Sequence, residues 1–324
     1  MFRVSPSVAG TYQYTTLSIA GQQASYATGI NDNNRVAGTF LDAGGVSHGF
    51  VWDAGAFTQV DGAGALSTEL NSINAKGIAA GDYLPASGTG RIAFTYNTAS
   101  GQQQMLTINP KYGFYEAGIN RSGVVVGFAE GGRNKVLGFD GKANGKKVKL
   151  LSVPGTVETL AFGINGSGTV VGSYLDSLGI YHGYVYQSGT YTKFDPPGSA
   201  VTAAASITDA GIVYGNYTDD MGERHGFTMS GGSFTIYDYP GAVGSVVVGI
   251  GPGGEVVGNW DDGSDAQHGF VVVGGTYYTI DRPGASGTTI AAVNDEGSLV
   301  GNFTEGQEQG FIAQCPAGQS PCTH

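Results

Sequence analysis

Apolar and polar residues alternate along this chain in short runs, and no stretch keeps a helical period for as long as three turns. The segment from Leu160 to Asp195 shows the pattern well. Leu160 to Asn165, Thr169 to Leu175, Gly183 to Gln187 and Tyr191 to Asp195 each read as a strand rich in β-branched and aromatic residues. Gly166-Ser167-Gly168 makes the first turn, a loop runs to His182, and Pro196-Pro197-Gly198 closes the unit.

The unit recurs. The string Gly-Ile-Asn-x-x-Gly-x-Val-Val-Gly returns seven times, its isoleucine position falling at Ile30, Ile73, Ile119, Ile164, Ile207, Ile250 and Val293. The spacings are 43, 46, 45, 43, 43 and 43. Eight residues after each stands a glycine: Gly38, Gly81, Gly127, Gly172, Gly215, Gly258 and Gly301. Four residues after each stand Asn34, Gly77, Gly123, Gly168, Gly211, Gly254 and Gly297, where a tight hairpin requires positive φ. Asp-x-Pro-Gly recurs as Asp195–Gly198, Asp238–Gly241 and Asp281–Gly284. Proline then glycine suits the centre of a type II turn, with the aspartate expected to cap nearby amides.

Four-stranded units of ~40–45 residues in series predict an all-β fold, a seven-bladed β-propeller. A solenoid needs polar end caps, and neither end reads as one. The ends look complementary instead. The last repeat stops after its third strand, Gly310-Phe311-Ile312-Ala313. The chain start, Thr11 to Ile19, reads as a fourth strand, with Tyr14 matching Tyr277 and Gly21 matching Gly284. The expectation is a ring closed by the N-terminal strand completing the last blade, which removes an exposed sheet edge. It forms one domain over 1–314, followed by a tail over 315–324.

The third strands open with His48-Gly49-Phe50, His182-Gly183-Tyr184, His225-Gly226-Phe227 and His268-Gly269-Phe270. These resemble the bacterial extracellular HAF repeats, named for His-Ala-Phe. Glycine stands for the family's alanine, although repeat two keeps Ala93-Phe94. The resemblance runs roughly from Tyr14 to Ala313. It implies an extracytoplasmic or secreted bacterial protein and brings no catalytic residues with it.

Composition narrows the classes further. The 324 residues include 57 glycines, only 13 % are charged, and the net charge is −11. No apolar run approaches the ~20 residues of a membrane helix. Glycine does not fall at every third residue, which excludes collagen. Aromatics at 11 % and apolar residues at 40 % are too many for a disordered chain. The acidic balance argues against nucleic acid as a partner. Cys315 and Cys322 flank a Gly/Pro-rich loop that a disulfide closes easily, which suits an oxidising compartment. Met1-Phe2-Arg3-Val4 has no apolar segment behind it, so no leader is expected in this chain.

Four of the five histidines hold one repeat position, each with an aspartate six residues earlier: Asp42–His48, Asp176–His182, Asp219–His225 and Asp262–His268. Repeats two, three and seven lack both, with Pro85, Gly131 and Glu305 at the aspartate position and Ile92, Leu137 and Gln309 near the histidine position. Residues that come and go together predict contact, here across the hairpin of the second and third strands. Metal binding and half of a nucleophilic triad are the alternatives. A reaction centre is rarely built four times over, so neither metal nor cofactor is expected. Asn31-Asp32-Asn33-Asn34 and Asn294-Asp295-Glu296-Gly297 faintly resemble calcium loops but lack the bidentate glutamate, and hairpin turns explain them. The aromatics two residues after the repeat glycine, and those on the third strands, are expected to pack between blades.

A site is expected where the repeat breaks near the axis. With the first strand of each repeat innermost, its early positions would line the channel mouth. Five residues before the isoleucine stand Ser25, Thr68, Phe114, Thr159, Thr202, Ser245 and Thr288. The next position reads Tyr26, Glu69, Tyr115, Leu160, Ala203, Val246 and Thr289. Repeats one to three thus carry Tyr26, Glu69 and Tyr115, then Glu116, with Phe114 and Asn71 close by. Their loops also depart from the pattern, supplying Arg91 from Asp82–Arg91 and Arg133 and Lys135 from Glu130–Lys135. This sector suits a monomeric binding module for a glycan or other small polar ligand. As an enzyme it offers Glu69 and Glu116 as an acid/base pair for glycoside hydrolysis. Alternatively Tyr26 or Tyr115 abstracts a proton in a polysaccharide lyase, with Arg91, Arg133 or Lys135 neutralising a uronate. A structural envelope protein, with no special sector, is the third reading.

Overall fold

A computed structural model describes residues 3–5, 12–88, 90–106, 113–131, 135–142, 148–264 and 266–315. These residues form 29 strands and no helix, arranged as five four-stranded sheets and one of nine strands. The nine-stranded sheet holds repeats five and six, joined by a single parallel bridge between Arg224 and Gly244, with Arg3–Ser5 along its edge. No helix among the described residues is long and apolar enough to cross a membrane.

Each repeat contributes an antiparallel meander. In repeat four the strands are Glu158–Ile164, Val170–Leu175, Tyr181–Gln187 and Thr190–Phe194, paired in that order. Repeat seven supplies Gly287–Val293, Leu299–Glu305 and Gln307–Gln314, and Gln13–Leu17 pairs antiparallel with the last of these. The chain start therefore lies in the sheet of the last repeat, with Tyr14 opposite Ala313. Leu17, Val300 and Ile312 pack with Ala27, Ile30 and Phe50 of repeat one in a single buried cluster.

The repeat columns have mechanical causes. All seven residues four places after the isoleucine have positive φ, from 58° at Asn34 to 87° at Gly254. The first strand of every repeat bulges two residues before it ends, for example between Ala27 and Gly29 and between Glu116 and Gly118. A bulge adds one unpaired residue and bends its strand. It presses a carbonyl onto the second strand, so a Cβ at Gly38 or Gly81 would overlap the carbonyl oxygen of Tyr26 or Glu69. The same collision recurs at the other five repeat glycines.

An asparagine strut links the turns between first and second strands. Asn74 Oδ1 accepts from the backbone N–H of Lys76 and Ile78, both at 3.0 Å, which closes its own turn. Its Nδ2 donates to the carbonyl of Asn120 at 2.9 Å, one repeat on. Asn31 reaches Asn74, Asn120 reaches Asn165, and Asn165 reaches Thr208 in the same way. Asn294 of repeat seven donates to the carbonyl of Asn31 at 2.9 Å.

The Pro-Gly turns form as expected, with the N–H of Ser199, Ala242 and Ala285 donating back to the carbonyls of Pro196, Tyr239 and Arg282. Their aspartates do something else. Amide capping falls to the hydroxyls of the next strand: Thr68 accepts from Gly62 N–H, Thr159 from Val153, Ser245 from Tyr239 and Thr288 from Arg282. This corrects the expectation that the hydroxyl column lines a channel mouth. Ser25, Thr68, Thr159, Thr202, Ser245 and Thr288 are all buried. Four serve the turn amides just named, Thr202 donates to Asp195 Oδ1, and Ser25 donates to the Leu17 carbonyl and accepts from Gly310 N–H.

Candidate functional site

The bulged residues, Thr28, Asn71, Ala117, Phe162, Ala205, Val248 and Ala291, line one cavity of about 490 Å³ together with their neighbours on the first strands. All seven repeats contribute to its wall. Most of the lining is small or apolar, and Asn71, Ser72, Ser206 and Asn216 are among its polar groups.

Repeats two and three hold a charged network that reaches this wall through Asn71 and Ser72. Asp82 and Glu116 are 2 % and 5 % exposed. The Arg91 guanidinium pairs with Asp82 through Nε and with Glu69 Oε1 at 3.2 Å. Asp82 Oδ2 accepts from the backbone N–H of Glu116 at 3.2 Å, and Asn71 Nδ2 donates to the Glu116 carbonyl at 3.1 Å. Ser72 Oγ donates to Glu116 Oε1 at 2.7 Å, while Glu116 Oε2 is buried with no hydrogen-bond partner. Burial raises the Glu116 pKa to about 8, Asp82 adds to the rise, and the side chains of Ser72 and then Asn71 only partly oppose it. Burial likewise raises Asp82, against the pull of Arg91. The Arg91 guanidinium thus pairs with two of the three carboxyl groups, and Glu116 has no cationic partner among the described residues.

Of the residues singled out in the sequence, Glu69, Asn71, Arg91 and Glu116 meet in this network. Tyr115 stands beside it, stacked on Phe128 at 4.9 Å, with its hydroxyl donating to Glu130 at 3.1 Å. Tyr26 turns to repeat seven, where burial and then Glu308 raise its pKa. Phe114 is 3 % exposed and meets Phe139 edge-on at 5.4 Å, so it belongs to the core and presents no face to a ligand. Lys135 begins the third strand of repeat three, opposite Gly131. Arg133 and Cys322 lie outside the described residues, whereas Cys315 is disulfide-bonded. Sequence reasoning missed Asp82 and Ser72 as partners. The signal for Asp82 was its column, one residue after the repeat glycine, where Thr39, Phe128, Ser173, Asn216, Asn259 and Asn302 carry no charge.

The four histidines are each held between two aspartates, not one. His182 Nδ1 lies 2.8 Å from Asp195 Oδ2, and its Nε2 lies 3.5 Å from Asp176 Oδ2. His48, His225 and His268 repeat this with Asp61, Asp238 and Asp281 on Nδ1 and Asp42, Asp219 and Asp262 near Nε2. Each ring also stacks on the aromatic of the second strand, Phe40, Tyr174, Tyr217 or Trp260. The Asp-x-Pro-Gly aspartates therefore serve the histidines. The earlier aspartates order the loops: Asp176 Oδ1 accepts from the N–H of Leu178 and Ile180 at 2.8 and 2.9 Å. Those backbone donors, that of Ile180 first, hold the Asp176 carboxyl below its usual range. Burial opposes charge on His225, but Asp238 and then Asp219 outweigh it and raise its pKa.

The chain superposes on the β-propeller domain of the trilobed protease from Pyrococcus furiosus, described as having an open velcro topology, with a TM-score of 0.62 at 9 % identity. That match covers 92 % of this chain and 95 % of the other. YCF48, solved bound to D1 peptide, matches with a TM-score of 0.59 at 11 % identity over 97 % and 98 % of the two chains. A puromycin hydrolase matches with a TM-score of 0.67 at 12 % identity over 97 % of this chain but 56 % of its own, so the chain spans about half of that enzyme. No family model matches the chain, and no curated protein does. At these identities the likeness establishes a β-propeller fold and leaves function to the residues.

Proposed function

We propose that the seven repeats are seven blades of a closed ring, completed by Gln13–Leu17 as the fourth strand of the last blade. The ring is one domain over 1–314. The struts support this reading, since Asn294 of the last repeat reaches the carbonyl of Asn31 in the first. So does the cavity, whose lining draws on the first strands of all seven repeats.

We further propose a monomeric, extracytoplasmic binding module, taking a carbohydrate or another small polar ligand where the network of repeats two and three meets the axial cavity. The supporting observation is a buried carboxyl group in a core column that is otherwise apolar. Six repeats place Ala27, Leu70, Ala161, Ala204, Val247 and Ile290 in the core column that holds Glu116 in repeat three. A carboxyl group buried there, with one oxygen unpartnered, costs stability. A ligand hydroxyl or amide that reaches Oε2 recovers that cost. Glu69, 44 % exposed, and Arg91 supply charge at the rim. The extracytoplasmic setting rests on the HAF resemblance and on the Cys315 disulfide.

One observation favours the enzyme reading: a carboxyl group with a pKa of about 8 is in the state a general acid needs. A glycan and small-metabolite binding screen, scored for turnover as well as retention, separates the two. Glu69→Gln is expected to weaken binding about tenfold while shifting stability by less than about 1 kcal/mol. A screen with no binder, or a Glu69→Gln protein that unfolds, ends the site assignment.

A further inference from the structure

The four Asp–His–Asp units are not equivalent, and the difference lies four residues after the first aspartate. Repeats one, four and six carry Val46, Ile180 and Ala266 there, whereas repeat five carries Glu223. Asp219, Glu223 and His225 consequently bring one ligand atom each to within 4.8 Å of one another, the one such trio among the described residues. We propose that repeat five holds a divalent transition-metal site made of Asp219, Glu223 and His225. It lies on a different repeat from the network around Glu116 and does not depend on the reading given to that network.

Three features of the trio fit a metal. First, its donors are chemically mixed: one imidazole nitrogen and two carboxylates suit Zn²⁺ or Mn²⁺ rather than the all-oxygen shell of Ca²⁺. Second, the imidazole is already oriented. His225 Nδ1 is committed to Asp238 Oδ1 at 2.9 Å, so Nε2 is the nitrogen turned toward the two carboxylates. A carboxylate on the far nitrogen is the usual outer support of a metal-bound histidine. Nε2 lies 3.6 Å from Asp219 Oδ2, the spacing the sister histidines also keep at 3.5, 3.5 and 3.6 Å, and only in repeat five does a further carboxylate join the pair. Third, the site opens on a cavity of about 620 Å³ between repeats five and six, which Glu223, His225 and Asp238 help to line. Three protein ligands on a solvent-open wall leave positions for water or for a ligand atom. Asp219 can serve without loosening its loop, because its other oxygen, Oδ1, is the one that accepts from Met221 and Glu223 N–H.

The sister units provide the test. Full-length protein, stripped with a chelator, is titrated calorimetrically with ZnCl2 and with MnCl2. At least one of the two is expected to bind at one equivalent per chain. Glu223→Gln, at an exposed position, is expected to weaken that binding at least about tenfold without moving the metal-free melting curve. Val46→Glu, at a position already 39 % exposed, is expected to add a second equivalent in repeat one. Absence of binding of both metals overturns the proposal, as does binding that Glu223→Gln leaves unchanged. A Val46→Glu protein that gains no second site overturns it as well, since the third carboxylate would not then be what makes the site.

Discussion

Repeats two and three and the regular repeats solve the same packing problem with different chemistry. In repeats six and seven the side chain after the repeat glycine is an asparagine that serves the bulge of the next first strand. Asn259 accepts from Ile290 N–H at 2.7 Å and donates to its carbonyl at 2.9 Å, and Asn302 accepts from Ala27 N–H at 2.9 Å. Ile290 and Ala27, which immediately precede the bulged residues, are apolar and buried. In repeat two the asparagine is replaced by Asp82, which accepts but cannot donate, so Asn71 supplies the bond to the Glu116 carbonyl. The residue before the bulge in repeat three, Glu116, is itself a carboxylic acid. The regular solution satisfies the backbone with neutral groups. The other brings two buried acids and a guanidinium to the same place, with one oxygen left over. Outside the core the contrast reverses: repeats one, four, five and six carry the charges, as half-buried Asp–His–Asp units on the loops, where charge is cheap to hold.

The sharpest way to break this comparison is to remove the charge from Glu116. Its pKa rises from 4.5 to about 8 on folding. Between those values the folded protein keeps a proton that the unfolded chain has released, so stability falls as pH rises through that window. The fall amounts to at most about 5 kcal/mol. Glu116→Gln keeps the shape and stays neutral. Urea denaturation at pH 5 and pH 9 should show the variant matching the parent at the lower pH and exceeding it at the higher. Equal slopes for both proteins would mean that the acid is solvated, and the contrast between the two regions would vanish.

A second change tests whether the regular framework is as self-sufficient as it looks. Asn120 accepts from Ser122 and Val124 N–H at 3.0 and 2.9 Å and donates across to the Asn165 carbonyl at 2.8 Å. Asn120→Ala strands buried backbone groups on two repeats and should cost about 2–3 kcal/mol in denaturant titration. The junctions after Thr208 and Gly251 have no such strut by sequence, so a loss near zero would show that junctions in general do without it.

Much of the framework was legible before any coordinates. The glycine column, the positive-φ column and the strand at the chain start all follow from spacing, because each is a backbone demand that recurs at a fixed offset. Which columns face the cavity was not legible. Strict alternation along a strand predicts the wrong face once a bulge intervenes, and the bulge leaves no residue type of its own, falling on Thr28, Asn71 and Phe162 alike. The hydroxyl column was misplaced for a related reason: for Thr68, Thr159, Ser245 and Thr288 the partner is an amide six residues earlier, in the turn before the strand. The second aspartate of each histidine was hidden by distance, thirteen residues on, behind a turn motif that explained it too readily. A signal was present, since repeats two, three and seven, which lack the histidine, carry Thr107, Ser152 and Ser18 where the four histidine-bearing repeats carry aspartate.

The smallest effect sharpens the outer half of the comparison, by asking which member of an Asp–His–Asp unit orders its loop. His182 is bracketed by Asp195 and Asp176 and stacks on Tyr174 at 5.1 Å, but it remains 24 % exposed. His182→Ala should cost only about 1 kcal/mol, the net value of a half-solvated contact. Asp176 holds two backbone N–H groups besides the imidazole, so Asp176→Ala should be the more damaging of the two and should raise amide exchange at Leu178 and Ile180. His182→Ala should leave those two amides protected. If it releases them as well, the histidine is what fixes the loop, and the aspartate's backbone bonds follow from the ion pair.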